Sequence, residues 1–180
     1  VRAATARGAA SAAASAPGLL GSGEPAARSE RGWHELAGEG KYKEAFAAAR
    51  PSFEALCAGS PAADVMTLGD AALYAGDGAS ARQAYESVRS RFAGSGEAAI
   101  AAFKLGRMAF GADAGRAKQW FVTYLAEAPG GALSRETLGR IMELEQRQGQ
   151  TDAARQTAQQ YLARYPTGPH AELARGLVGP

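Results

Sequence analysis

Apolar residues recur along this chain at helical spacing. Between Ala62 and Ala75, the residues Val65, Leu68, Ala72 and Leu73 fall on one face of a 3.6-residue helix. Between Ser80 and Phe92, Ala81, Ala84, Tyr85 and Val88 repeat the pattern at i, i+3, i+4 and i+7. The two stretches are separated by Gly76-Asp77-Gly78. Glycine there supplies a left-handed cap for the first helix, and Asp or Ser just beyond can cap the second. The predicted unit is a helical hairpin.

That unit repeats. The turn-plus-alanine signatures Gly40-Lys-Tyr-Lys-Glu-Ala45, Gly76-Asp-Gly-Ala-Ser-Ala81, Ala112-Asp-Ala-Gly-Arg-Ala117 and Gly149-Gln-Thr-Asp-Ala-Ala154 place their last alanines 36, 36 and 37 residues apart. A second marker (Phe92-Ala93, Ala128-Pro129, Tyr165-Pro166) follows each of the last three alanines by twelve residues. Two markers keeping one period define a repeat protein. Alanine at the anchor allows two helices to cross closely, where a larger side chain would hold them apart. The second helix of the first unit is longer and is expected to break near Pro51.

Composition agrees with an all-helical core. The chain has 44 alanines among 180 residues, while Leu, Ile, Val and Phe together number 27 and Val plus Ile only 7. Too few β-branched residues remain for a wide sheet, and alanine is the best helix former. Net charge is +2, and the excess lies in the first 31 residues, which hold four basic and two acidic side chains against sixteen of each in 32–180. No Lys/Arg cluster marks a nucleic-acid face. Residues 1–27, rich in Ala, Gly, Ser and Pro, read as a disordered tail or linker rather than a signal peptide, since Leu19-Leu20 is the only strongly apolar pair. The repeat domain spans 28–178, and no stretch approaches the roughly 18 apolar residues of a membrane span.

The repeats resemble the tetratricopeptide family. The second unit carries the likeness in Leu68-Gly69, Gly76-Asp77, Ala81, Tyr85, Val88 and Ala93; the third in Leu105-Gly106, Ala117, Phe121 and Pro129; the fourth in Gly149, Ala154, Tyr161 and Pro166. The resemblance implies a right-handed α-solenoid of about four hairpins, closed by a C-terminal cap helix over His170–Val178. The segment Tyr161-Leu-Ala-Arg-Tyr-Pro-Thr-Gly-Pro-His-Ala171 is similar to the bacterial envelope subgroup, namely Tol-Pal coordinators, outer-membrane assembly lipoproteins and the tails of iron-dicitrate-sensor-type anti-sigma regulators. It implies a periplasmic or envelope-associated location, with the cytoplasm as the alternative.

Catalytic chemistry is not indicated. His34 and His170 lie near opposite ends of the array, and Cys57 sits in a third place, reading as a small buried hydrophobe. Glu143 and Glu145 are two apart and face different ways. No metal or cofactor motif is present. Trp33, Trp120, Phe121, Tyr124 and Leu125 read as inter-repeat packing, with Phe121 and Leu125 toward the core; an aromatic docking shelf at Trp120 and Tyr124 is the alternative.

In the tetratricopeptide family the first helix of each hairpin lines the concave surface that receives a protein or peptide. Carried residue by residue, the face positions are Ala63, Met66, Asp70, Leu73 and Tyr74, then Ile100, Phe103, Arg107, Phe110 and Gly111, then Glu136, Gly139, Glu143, Gln146 and Arg147, and the candidate binding residues among them are Met66, Asp70, Tyr74, Phe103, Arg107, Phe110, Glu143 and Arg147. Asp70, Arg107 and Glu143 are expected to form an acid–base–acid row along it. The function implied is non-catalytic protein–protein interaction. A solvated face with no ligand, a self-associating structural module, and an accessory domain of a longer protein are the alternatives.

Overall fold

Among the described residues, each hairpin is closed by the turn chemistry its sequence carries. A computed structural model describes residues 32–179. The expected tail at 1–27 lies outside the described residues. The elements are α1 (32–38), α2 (Tyr42–Ala49), a 3-10 turn at Arg50–Ser52, α3 (Phe53–Gly59), α4 (Ala62–Tyr74), α5 (Gly78–Arg91), α6 (Gly96–Ala109), α7 (Ala114–Glu127), α8 (Ser134–Arg147), α9 (Thr151–Arg164) and α10 (Ala171–Val178). No strand occurs among the described residues.

At Gly40, Gly76 and Gly149 the backbone turns left-handed, with φ of 76°, 87° and 69°. Around Gly76 the cap is complete: the Gly76 amide donates to the Leu73 carbonyl at 3.0 Å and the Asp77 amide to the Ala72 carbonyl at 2.9 Å. The same pair of bonds recurs at Gly149 and Gln150. In the third unit the matching position is Ala112, whose Cβ disfavours that conformation. There the Asp113 amide instead returns to the Ala109 carbonyl at 2.8 Å. Side-chain caps follow as expected, with Asp77 accepting from the Ser80 amide at 3.0 Å and Asp113 from the Arg116 amide at 2.9 Å.

The hairpins are α1 with α2–α3, α4 with α5, α6 with α7, and α8 with α9, each packed on the next, and α10 closes against α9. The 3-10 turn at Arg50–Ser52 accounts for the expected break at Pro51. The anchor alanines Ala45, Ala81, Ala117 and Ala154 are all fully buried. The core runs as three successive clusters, as expected where each repeat touches only its neighbours. Trp33 and Cys57 belong to the first cluster. In α7 the buried aromatic pair is Phe121 with Tyr124, while Leu125 and Trp120 are half-buried. That departs from the expected pairing of Phe121 with Leu125, because the Tyr124 hydroxyl turns inward to accept the Leu133 amide at 3.1 Å.

Three helical glycines let an aromatic ring from another segment lie on the backbone. A Cβ on Gly69 would sit 2.5 Å from Tyr85 Cε1, and one on Gly106 would sit 2.7 Å from Phe121 Cδ1. On Gly139 it would collide with the His170 ring. Helix propensity favours Ala over Gly by about 1 kcal/mol; packing opposes it here. Gly106→Ala is therefore expected to destabilise by about 1–3 kcal/mol, as for an overpacked core site, and Ala117→Leu likewise. Gly176→Ala, with open space around its Cβ, should be neutral or stabilising by up to about 1 kcal/mol. Urea denaturation of the three variants checks the signs.

Candidate functional site

The face formed by the first helices of the hairpins is where polar and aromatic side chains converge. Tyr85 starts the construction. Its ring is fully buried over Gly69, and its hydroxyl emerges between α4 and α6 to donate to Asp70 Oδ1 at 2.6 Å. Burial, and secondarily the Asp70 carboxylate, push the phenol's pKa well above its ordinary value, so it stays a proton donor at any physiological pH. Asp70 Oδ1 also accepts from Lys104 Nζ at 2.7 Å, which ties α4 to α6. Beside this pair a cleft of about 230 Å³ is lined by Asp70, Leu73, Tyr74, Lys104, Arg107 and Met108.

The cleft has an apolar side. Tyr74 is 63% exposed and Leu73 37%, and the Tyr74 ring stacks on Tyr42 with centroids 4.8 Å apart. Ile100, 40% exposed, extends the apolar character along α6. Arg107 is exposed, and its guanidinium lies 6.0 Å from the Phe103 centroid. Among the described residues it has no carboxylate within ion-pair reach.

At the C-terminal end of α6, Phe110 is half-buried and covered by two guanidiniums from α8 of the next hairpin, Arg147 at 4.3 Å and Arg140 at 5.1 Å from its centroid. Arg140 is held by Glu143 at 3.2 Å and Glu136 at 3.7 Å. The second oxygen of Glu143 meets His170 Nε2 at 3.0 Å. His170 is in turn located by its ring against Gly139 and by its amide on the Tyr161 hydroxyl at 3.4 Å.

Six of the eight expected face residues are at least partly accessible: Asp70, Tyr74, Arg107, Phe110, Glu143 and Arg147. Two are not. Met66 is 8% exposed and Phe103 3%, each part of the hydrophobic core. Phe103 packs on Phe121 and Tyr124 at 5.8 Å and 5.7 Å between centroids. The apolar lining comes instead from Leu73, Tyr74 and Ile100. The acid–base–acid row also takes another form. Asp70 pairs with Lys104, one helical turn before Arg107, and Glu143 pairs with Arg140 and His170. Arg107 joins neither. Glu145 behaves as expected in facing away from Glu143: it is buried, bound to Lys118 Nζ at 2.8 Å and to the Thr157 hydroxyl at 2.7 Å.

Lys104, Arg140 and His170 were not singled out for this face by sequence. Lys104 and Arg140 were readable at i−3 from Arg107 and Glu143, on the same side of their helices. His170 was not, since it reaches Glu143 across a helix and a loop.

No family model matches the chain, and no curated protein matches it. Among solved structures it is similar to nearly identical TPR-like repeats from a Podosopora anserina protein described as a kinesin light chain. That similarity has a TM-score of 0.59 and 12% identity, and covers 86% of this chain and 84% of the other. The fold is therefore a TPR-like helical repeat solenoid.

The ion-pair arrangement fixes a stability difference between two neighbouring cations. Removing Lys104 leaves the partly buried Asp70 with only a phenol, so Lys104→Ala is expected to cost up to about 1 kcal/mol. Arg107→Ala should stay within about 0.5 kcal/mol of the parent. Paired urea titrations at low salt measure both.

Proposed function

We propose that this chain is a non-catalytic protein-interaction module that receives a partner protein on its first-helix face. One observation carries the reading. The cleft between α4 and α6 keeps Leu73, Tyr74 and Arg107 exposed together, and Arg107 makes no ion pair among the described residues. Exposed aromatic and arginine side chains are the residue types that carry binding energy at protein interfaces.

Two further features support a binding rather than a catalytic role. Burial, with a smaller contribution from Glu54, pushes the Cys57 thiol up to about 11, so it is neutral and shielded at physiological pH. His170 Nε2 meets Glu143 at 3.0 Å, and His34 lies near the other end of the array, 3.7 Å from Asp64, so the two histidines do not share a site. The setting we infer is the bacterial cell envelope, as the interaction region of an envelope or regulatory protein. It rests on the resemblance of the segment Tyr161–Ala171 to envelope repeats.

Self-association is the second reading, and it has its own observation. Leu173, Leu177 and Val178 of α10 are half-buried, next to a shallow cleft lined by Leu162, Arg175 and Gly176. Site-specific photo-crosslinking separates the two. A photoreactive residue at Tyr74 is expected to give an adduct with a different protein that fractionates with the envelope, and one at Val122, exposed on the second helix α7, should give none. Adducts only at position 122, or only between copies of this chain, would overturn the reading.

A further inference from the structure

The third and fourth hairpins meet differently from the others. The buried Ser, Thr and charged side chains among the described residues are Ser134, Thr137, Glu145 and Thr157, and all four belong to the fourth hairpin. The connection before that hairpin, residues 128–133, is longer than those at 60–61 and 92–95, and it contains Pro129-Gly130-Gly131. Because α7 and α8 are packed neighbours running antiparallel, their junction has a connected end and a far end. At the connected end the Tyr124 hydroxyl accepts the Leu133 amide at 3.1 Å, and the Ser134 hydroxyl donates to the Ala128 carbonyl at 2.9 Å. These bonds fasten the start of α8 to the end of α7. At the far end Lys118 Nζ lies 2.8 Å from Glu145 Oε1 and donates to Gln150 Oε1 at 3.0 Å. In the same last turn of α8, Arg147 lies over the Phe110 ring and donates to the Phe110 carbonyl at 3.5 Å.

The fourth hairpin also keeps a core of its own. Leu138, Met142, Ala158 and Tyr161 form one cluster with Ala171 and Ala174 of the cap, whereas Ile141 and Leu144 of α8 are buried with Phe121 and Tyr124 of the third hairpin. At the preceding junction no such division exists, since Ala98, Ala101 and Leu105 of α6 share one cluster with the first two hairpins. That junction carries ion pairs too, Asp70–Lys104 and Arg89–Glu127, but all four side chains keep contact with water. Glu145 is nearly cut off from it, with its side chain 5% exposed. Closing the junction strips water from Glu145 and from part of Lys118, a cost that offsets much of their attraction, and opening restores that hydration. Opening an apolar junction exposes surface and restores nothing comparable. We propose that α8, α9 and α10 swing as one arm on the α7–α8 connection, and that Lys118 with Glu145, helped by Arg147 on Phe110, is the clasp that holds the arm shut. Thr157 keeps its bond to the other Glu145 oxygen in either state, because α9 travels with α8. Opening separates Glu143 and Arg147 from Arg107 and Phe110 along the first-helix face, and uncovers Ile141 and Leu144.

Pulsed dipolar spectroscopy on the full chain measures the opening. One nitroxide pair, Ala112→Cys with Gln148→Cys, spans the clasp, and a second, Ala79→Cys with Ala112→Cys, spans the preceding junction; all three positions are exposed. Cys57 is buried and neutral, so it stays unlabelled. The 112–148 pair is expected to show a main distance and a longer minor one, and the 79–112 pair a single distance. Lys118→Gln should enlarge the longer population about threefold or more, and Arg147→Ala, at an exposed position, about twofold. Replacing both charges, Lys118→Met with Glu145→Met, should bring it to the parent's level or below, since an apolar pair has no hydration to regain. Folded variants are those that keep the parent's helical circular dichroism, and if Lys118→Gln is not among them the other two decide by the same criteria. A single 112–148 distance in the parent and in every folded variant overturns the hinge. Equal broadening of the 79–112 pair overturns its placement at this junction. A doubly substituted chain as open as Lys118→Gln or Arg147→Ala overturns the ion pair as the clasp.

Discussion

A glycine in the first helix and a ring laid across it set the geometry on which the first-helix face depends. At Gly69 and Gly106 the ring comes from the hairpin's own second helix, as Tyr85 and Phe121. The missing Cβ brings the two helices close enough for the ring to be fully buried, which a methyl group would prevent. At Gly69 the contact does more than pack. It sets the Tyr85 hydroxyl on Asp70, and Asp70 then takes Lys104 from the next hairpin. A buried packing decision thereby settles which cation on the surface is paired and which is left over.

The fourth hairpin solves the same problem with a different chain segment. Its second helix carries Ala158 at the position equivalent to Phe121, so no ring is available from within the hairpin. The space over Gly139 is filled by His170, from the approach to α10. The ring, its hydrogen bond with Glu143 and the hydrogen bond from its backbone amide to the Tyr161 hydroxyl together attach the cap to the array. The neighbouring interface holds Glu145, Lys118 and Thr157, a buried polar contact in which every carboxylate interaction is satisfied by a named partner. A solenoid is held by such nearest-neighbour terms, so the last interface has to carry its own lock.

Much of this was legible in the sequence because it is local. Anchor alanines, glycine turns, aspartate caps and the break at Pro51 are set by residues within a few positions of one another, and the spacing of 36 or 37 placed them. The face itself was legible only to within one helical turn. The family resemblance assigned Met66 and Phe103 to the groove, but a residue at the edge of a helical stripe is covered or exposed according to the neighbouring helix's side chains. Phe103 is covered by Phe121 and Tyr124, eighteen and more residues away in sequence. The exchange of Arg107 for Lys104 as partner of Asp70 has the same origin. His170 over Gly139 could not be read at all, since nothing near either residue announces the contact.

The dependence of the face on the glycine–ring contact is open to one direct measurement, a double-mutant cycle on stability between Gly69→Ala and Tyr85→Leu. With the tyrosine ring in place, the added methyl has nowhere to go and Gly69→Ala should destabilise. In the Tyr85→Leu background the ring is gone, and the same substitution should cost nothing or stabilise through helix propensity. Coupling of about 1 kcal/mol or more is the predicted result. An equal cost of Gly69→Ala in both backgrounds would contradict it, and would mean that the close approach of α4 and α5 is set by something other than the ring.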